Sequence, residues 1–296
     1  FEISLDTKSF DESTKLPDDQ FLEKQWYLYN TGTPDLTNTI ELGGTASGIK
    51  PNVDIRAPEA WKLKNSAKDI VVAVIDSGVY IEHPDLKDNI WVNKGEIPGN
   101  GLDDDNNGYV DDINGWNFIT KTGDPSPTKA GDSHGTQVAG VIGAKGNNKI
   151  GISGVAWDTQ IMGIKVGDLS PSFHYAIKNK ADVINVSLGA LLKVNPDRFI
   201  EYTNRAGELL SNLPADISFY RDLYSEYYKM YKAAHANNIS VVISAGNSAD
   251  YSKEIDNWDG VGSIDLSYGL LAYYNRFFDN IIVVGAQNAL GIQTPY

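Results

Sequence analysis

Residues 70–75 read Ile-Val-Val-Ala-Val-Ile, and Asp76-Ser77-Gly78 ends the run at once. A strand with one wet face alternates apolar and polar side chains. A run this uniformly apolar needs cover on both faces, as strands inside a parallel sheet have. Comparable runs recur at 160–166, 183–187, 241–244 and 281–284. Helical patterns lie at 57–63, 135–144, 175–181 and 220–237. Pro58 suits the first turn of the earliest of these, where its missing N–H costs no bond. Buried strands alternating with helices predict an α/β fold, a mostly parallel sheet with helices on both faces.

The 296 residues suffice for one large domain or two small ones. Residues 1–25 are polar and irregular and read as an extended arm without a core element. Residues 26–296 read as one domain, on which 190–219 and 248–279, long and polar, are surface insertions. The net charge of −14 disfavours nucleic acid and anionic membrane as partners, because phosphate binding is driven by Lys and Arg. It suits cationic peptides, metal ions or simple solubility. The chain has no cysteine, which excludes disulfides, thiolate catalysis and Cys-bound metals. No apolar stretch approaches the roughly 20 residues of a membrane span.

Three residues at element ends stand out. Asp76 closes the first buried strand, where a carboxylate is costly without a partner. It reads either as a turn cap or as an acid that orients a histidine. His134, in Gly131-Asp132-Ser133-His134-Gly135-Thr136, begins a helix that Ser133 or Asp132 can cap, among small residues that admit a substrate. Taken alone, a histidine so placed is more often a surface or hydrogen-bonded one. Asn247, after Ser244-Ala245-Gly246 at a strand end, reads as a turn residue or as an amide donor to a developing oxyanion.

Together these stretches resemble the subtilase superfamily of serine proteases. Val74-Ile75-Asp76-Ser77-Gly78 is similar to its aspartate motif and His134-Gly135-Thr136-Gln137-Val138-Ala139-Gly140 to its histidine motif. Val186-Ser187-Leu188-Gly189 is similar to its cleft strand, and Ser244-Ala245-Gly246-Asn247 to its oxyanion motif. The resemblance implies a serine endopeptidase in which Asp76, His134 and a serine form the triad and Asn247 holds the oxyanion. Ser187, Leu188, Gly189, Ala245 and Gly246 would line the substrate cleft. The family's Gly-Thr-Ser motif does not occur in the chain, so the nucleophile is expected beyond residue 296.

Calcium is the expected cofactor, at two places. The stretch 103–112 reads Asp-Asp-Asp-Asn-Asn-Gly-Tyr-Val-Asp-Asp. Counted from Asp103, it offers Asp103, Asp105 and Asn107 at loop positions one, three and five. Gly108 falls at six, the Tyr109 carbonyl at seven and Asp111 at nine. Position twelve is Asn114 instead of Glu, and Asp112 is the substitute. The competing reading is a solvated acidic loop. The second place rests on the resemblance. Residues 19–28 are similar to an N-terminal arm of the family whose Asp binds calcium in the kexin-like branch, with Gln20 in place of Pro. That implies Asp19, Asp85, Asn148 and the carbonyls of Lys145, Ile150 and Ile152 as ligands.

The resemblance also implies a secreted or cell-surface enzyme of a Gram-positive bacterium, made with an N-terminal propeptide. It extends, more loosely, to lantibiotic leader peptidases. Asp250, Glu254, Asp256 and Asp259 follow Asn247 closely; they read either as a solvated acidic loop or as part of a pocket for a peptide or protein substrate cut after a basic residue. The rival readings are a general secreted subtilase and a catalytically dead peptide-binding homologue.

Overall fold

A computed structural model describes residues 16–32, 51–129, 132–188, 191–194, 199–203, 209–214, 217–244, 263–264 and 277–285. Six strands form one sheet: β1 (Val71–Asp76), β2 (Gly115–Asn117), β3 (Gln160–Lys165), β4 (Val183–Val186), β8 (Ser240–Ser244) and β10 (Ile281–Val284). Their order is β10-β8-β4-β1-β3-β2, and every pairing is parallel. Among the described residues four α-helices accompany it: α1 (Ala57–Leu63), α2 (His134–Gly143), α3 (Leu169–Lys178) and α4 (Ile217–Ala236). The expected α/β architecture with a parallel sheet is what the chain adopts.

The apolar run of β1 has its explanation in the two faces of the sheet. Val71, Ala73 and Ile75 enter the larger core, where Phe173, Tyr175 and Ala176 of α3 and Met230, Tyr231 and Ala234 of α4 pack. Val72 and Val74 enter the opposite core with Ala139 of α2. Successive side chains point to opposite faces, so a strand covered on both sides buries all six of its residues. Each buried Val or Ile contributes about 1.5–3 kcal/mol. In α4, Tyr227, Met230, Tyr231 and Ala234 recur at helical spacing on the packed face.

β1 stands between β3 and β4. From β1 the chain runs through α2 to β3 on one side, then through α3 to β4 on the other. The connections therefore diverge at the C-terminal ends of β1 and β4, which opens a crevice there. Asp76 is the last residue of β1, so its carboxylate faces that crevice.

The structure corrects several details. The helix expected over 175–181 spans Leu169–Lys178. Pro171 sits in its first turn and does not block it. The arm is not merely extended: Leu22–Lys24 form a 3-10 turn, and Asp19 and Gln25 are buried. Within 190–219, read as polar insertion, lie β5 (Leu191–Val194), β6 (Phe199–Thr203) and β7 (Leu209–Pro214). They form a second, antiparallel sheet with β9 (Ser263–Ile264). β9 pairs with β5, so the two long segments share one sheet.

Candidate active site

The β1 end and the α2 start meet. His134 Nδ1 lies 2.7 Å from Asp76 Oδ1, which also accepts a hydrogen bond from Ser77 N at 2.7 Å. Asp76 is buried, whereas 41% of the His134 side chain is exposed. A buried carboxylate at Nδ1 makes that nitrogen the protonated one, so Nε2 is left as a proton acceptor. Asp76 Oδ2 is buried without a hydrogen-bond partner among the described residues.

Close approach of the two elements depends on Gly135. A Cβ there would lie 2.5 Å from Gly78 O and 2.8 Å from Asp76 Cβ, so no larger residue brings His134 this near. Gly135 N donates to Ser77 Oγ at 3.1 Å. The expected cap is absent: neither Ser133 nor Asp132 caps α2 through its side chain. Ser133 Oγ instead accepts from Gln137 Nε2, and Asp132 Oδ2 lies 3.0 Å from Lys165 Nζ. A hollow of about 660 Å³ runs beside α2, bounded by Asp132, Ser133, Thr136 and Gln137 and by Tyr80 and His83 after β1. That volume is in the range that accommodates a ligand or chain segment.

Ser187 and Leu188 follow β4 at the same end of the sheet, half-buried, and Leu188 packs on the larger core. Ser187 Oγ accepts from Asn185 Nδ2 at 3.0 Å. Gly189, Ala245, Gly246 and Asn247 lie outside the described residues, as do Asp250, Glu254, Asp256 and Asp259.

The acidic loop is organised differently from the expected ligand ladder. Asp103 uses both carboxylate oxygens on its own turn, accepting from Asn107 N and Gly108 N. Gly108 has φ +93°, the left-handed conformation that the turn requires. Asp111 accepts from Asn100 N and Gly101 N. The ring of Tyr109 packs on Trp116 and Tyr175. The carboxylates that converge are Asp105, Asp112 and Glu96, each with an oxygen within 4.8 Å of the others. Asn93 Nδ2 donates to Asp105 and Asp112, as does Asn107 Nδ2. Tyr175 OH donates to Asp112 Oδ2 at 2.6 Å. Burial pushes the Asp112 carboxyl above the ordinary carboxylate range, against hydrogen bonds from Tyr175, Asn107 and Asn93 and with help from the Asp105 charge. Three converging carboxylates offer hard oxygen donors of the kind calcium takes, while the Asn93 and Asn107 amides present N–H groups there and their Oδ1 atoms accept from Gly95 N and Tyr109 N. Glu96 and Asn93 escaped the sequence reading because they precede the loop at no diagnostic spacing.

The residues of the second set lie together through hydrogen bonds, in which Lys145, Ile150 and Ile152 take part by their N–H groups. Asp19 accepts from Asn147 N and Asn148 N. Asp85 accepts from Asn148 Nδ2 and Ile152 N, and its carbonyl accepts from Lys145 N. Asn148 Oδ1 accepts from Ile150 N. Asp19 and Asp85 are both buried. Gln25 fastens the arm to the same loop, with Oε1 accepting from Ser153 N at 2.7 Å and Nε2 donating to Ser153 O at 2.8 Å.

A family model described as the subtilase family matches residues 67–292. Among curated relatives, subtilisin-like protease 1 of Plasmodium berghei is 42% identical over 134 residues, 42% of this chain and 22% of that protein. The major intracellular serine protease of Bacillus subtilis is 28% identical over 87% of this chain and 70% of that protein. The chain spans about a fifth of the length of the Plasmodium relatives. Among solved structures, an epidermin leader peptide processing serine protease from Staphylococcus aureus is 20% identical. It aligns over 79% of this chain and 50% of that one, with a TM-score of 0.48.

Proposed function

The chain belongs to the subtilase family, and from that premise we propose that it is a serine endopeptidase whose acid–base pair is Asp76 and His134. The observation that carries this reading is the 2.7 Å contact between His134 Nδ1 and Asp76 Oδ1. The nucleophile in this proposal is a serine beyond residue 296. Its hydroxyl attacks the scissile carbonyl while His134 Nε2 takes the proton. The imidazolium, stabilised by Asp76, gives that proton to the leaving amine, and water repeats the sequence on the acyl-enzyme. Asn247 supplies an amide hydrogen bond to the tetrahedral oxyanion, a contribution of about 3–4 kcal/mol. Ser187, Leu188 and Gly189 pair with the substrate backbone as an added strand, beside Ala245 and Gly246.

Calcium belongs to the same proposal. Glu96, Asp105 and Asp112 would hold one ion, while Asn93 and Asn107 orient the carboxylates and Asp103 and Asp111 shape the loop. Asp19, Asp85, Asn148 and the carbonyls of Lys145, Ile150 and Ile152 would hold a second. When bound, the ions offset like-charge repulsion and pin the arm to the domain.

The sequence resemblance supports a secreted zymogen that acts on peptides, with removal of lantibiotic leaders as the narrower substrate class. The net charge of −14 supports a cationic substrate. Digestion of a peptide library by the full-length protein, with calcium and with chelator, tests these points together. The expected result is calcium-dependent cleavage concentrated after Arg or Lys. Binding of peptides without cleavage would favour a catalytically dead homologue.

A further inference from the structure

Lys165 is the last residue of β3 and pairs in register with Asp76. Only 7% of its side chain is exposed. Burying an ammonium is costly unless charged or strongly polar partners surround it, and its partners here are informative. Nζ donates to Ser77 O, the carbonyl next to Asp76. It also lies 3.0 Å from Asp132 Oδ2, two residues before His134. On the other side of His134, Gly135 N donates to Ser77 Oγ. Residues 132 and 135 are thus both tied to Ser77, and His134 sits between the two attachments.

We propose that Lys165 is a positioning residue for the catalytic pair: its buried ammonium clamps the loop before His134 to the turn after Asp76. The clamp rests on the endopeptidase reading for its effect on rate, and on geometry alone for its effect on the Asp76–His134 hydrogen bond. Without it, Asp132 is drawn towards solvent on the open side of α2. The α2 start then keeps the bonds of Gly135 N to Ser77 Oγ and of Tyr80 N to Thr136 Oγ1, both beyond His134, and the imidazole loses its fixed distance from Asp76. Small misplacements of this kind cost catalysis far more than they cost binding, because reactive geometry is steep in distance and angle.

The test compares Lys165→Met, which keeps the buried stem, Lys165→Arg, which keeps the charge, and Asp132→Asn, which removes the ion pair from the half-exposed end. Each is made in the full-length protein, and folding is verified by near-ultraviolet circular dichroism. One readout is the far-downfield proton resonance of the His134 Nδ1–H···Asp76 hydrogen bond, assigned by its loss in His134→Gln. The other is hydrolysis of a peptide substrate. The expected result is loss or broadening of the resonance in Lys165→Met and Asp132→Asn. A fall in kcat of about ten- to a hundredfold with little change in KM should accompany it, and Lys165→Arg should restore both. If Lys165→Met does not fold, Asp132→Asn decides. An unchanged resonance in folded Asp132→Asn overturns the clamp. If the wild type hydrolyses nothing, the endopeptidase reading fails, while the resonance still decides whether the clamp orders the pair.

Discussion

Asp76 carries two hydrogen bonds on one carboxylate oxygen, from His134 Nδ1 and Ser77 N. Replacing Asp76 with Asn keeps the size but presents an amide, which favours the wrong imidazole tautomer. We expect Asp76→Asn to lower kcat by about ten-thousandfold with little effect on KM, measured on a peptide substrate. Both members of this pair were legible in the sequence, because a strand-end Asp-Ser-Gly and a helix-start His-Gly-Thr occur in fixed order. Lys165 was not. It reads as one polar residue at the end of an apolar strand, and only the fold shows that its ammonium turns back between the turn after β1 and the start of α2. Glu96 was missed for a related reason: nothing local marks its carboxylate as facing Asp105 and Asp112 across the loop.

At the scale of elements, hydrophobic periodicity located five of the six strands of the main sheet; β2, Gly115–Asn117, is too short to carry an apolar run and was not marked. Alternation between two buried faces writes itself into β1 as an unbroken apolar run. The same signal failed for the arm, because Asp19 and Gln25 are buried through hydrogen bonds, not apolar contact. Gln25 completes the N–H and C=O of buried Ser153 as another strand would. Replacing it with Leu leaves both backbone groups without partners, at about 1–3 kcal/mol each. Gln25→Leu should therefore lower the thermal midpoint by several degrees and expose the arm to limited proteolysis. An unchanged midpoint would mean that the arm contributes nothing to the fold. The strands within 191–214 went unread because each is short and broken by polar residues such as Lys193, Glu201 and Asn212.

For the whole molecule, a net charge of −14 makes cation binding a stability question. Ionised Asp112 is buried beside Asp105 and Glu96, and burial raises its carboxyl above the ordinary range. The sign follows directly. The folded state holds this proton more tightly than the unfolded state, so ionisation costs stability. The cost is absent below the ordinary carboxylate value and complete above the raised one. At neutral pH, calcium should offset it, raising stability by about 2.7 kcal/mol at a hundredfold excess over Kd. Asp112→Asn should shrink the calcium-dependent gain in midpoint, measured by calorimetry with and without chelator, because it removes one of the three converging carboxylates.

In the proposed mechanism Asp76 and His134 activate a serine. Labelling by a fluorophosphonate reports that directly, because the probe reacts with an activated serine hydroxyl and not with an ordinary one. The full-length protein should label covalently in the presence of calcium, and His134→Ala should abolish the label while leaving the fold intact. A folded wild type that takes no label, or a His134→Ala variant that labels as fast as the wild type, would contradict the account.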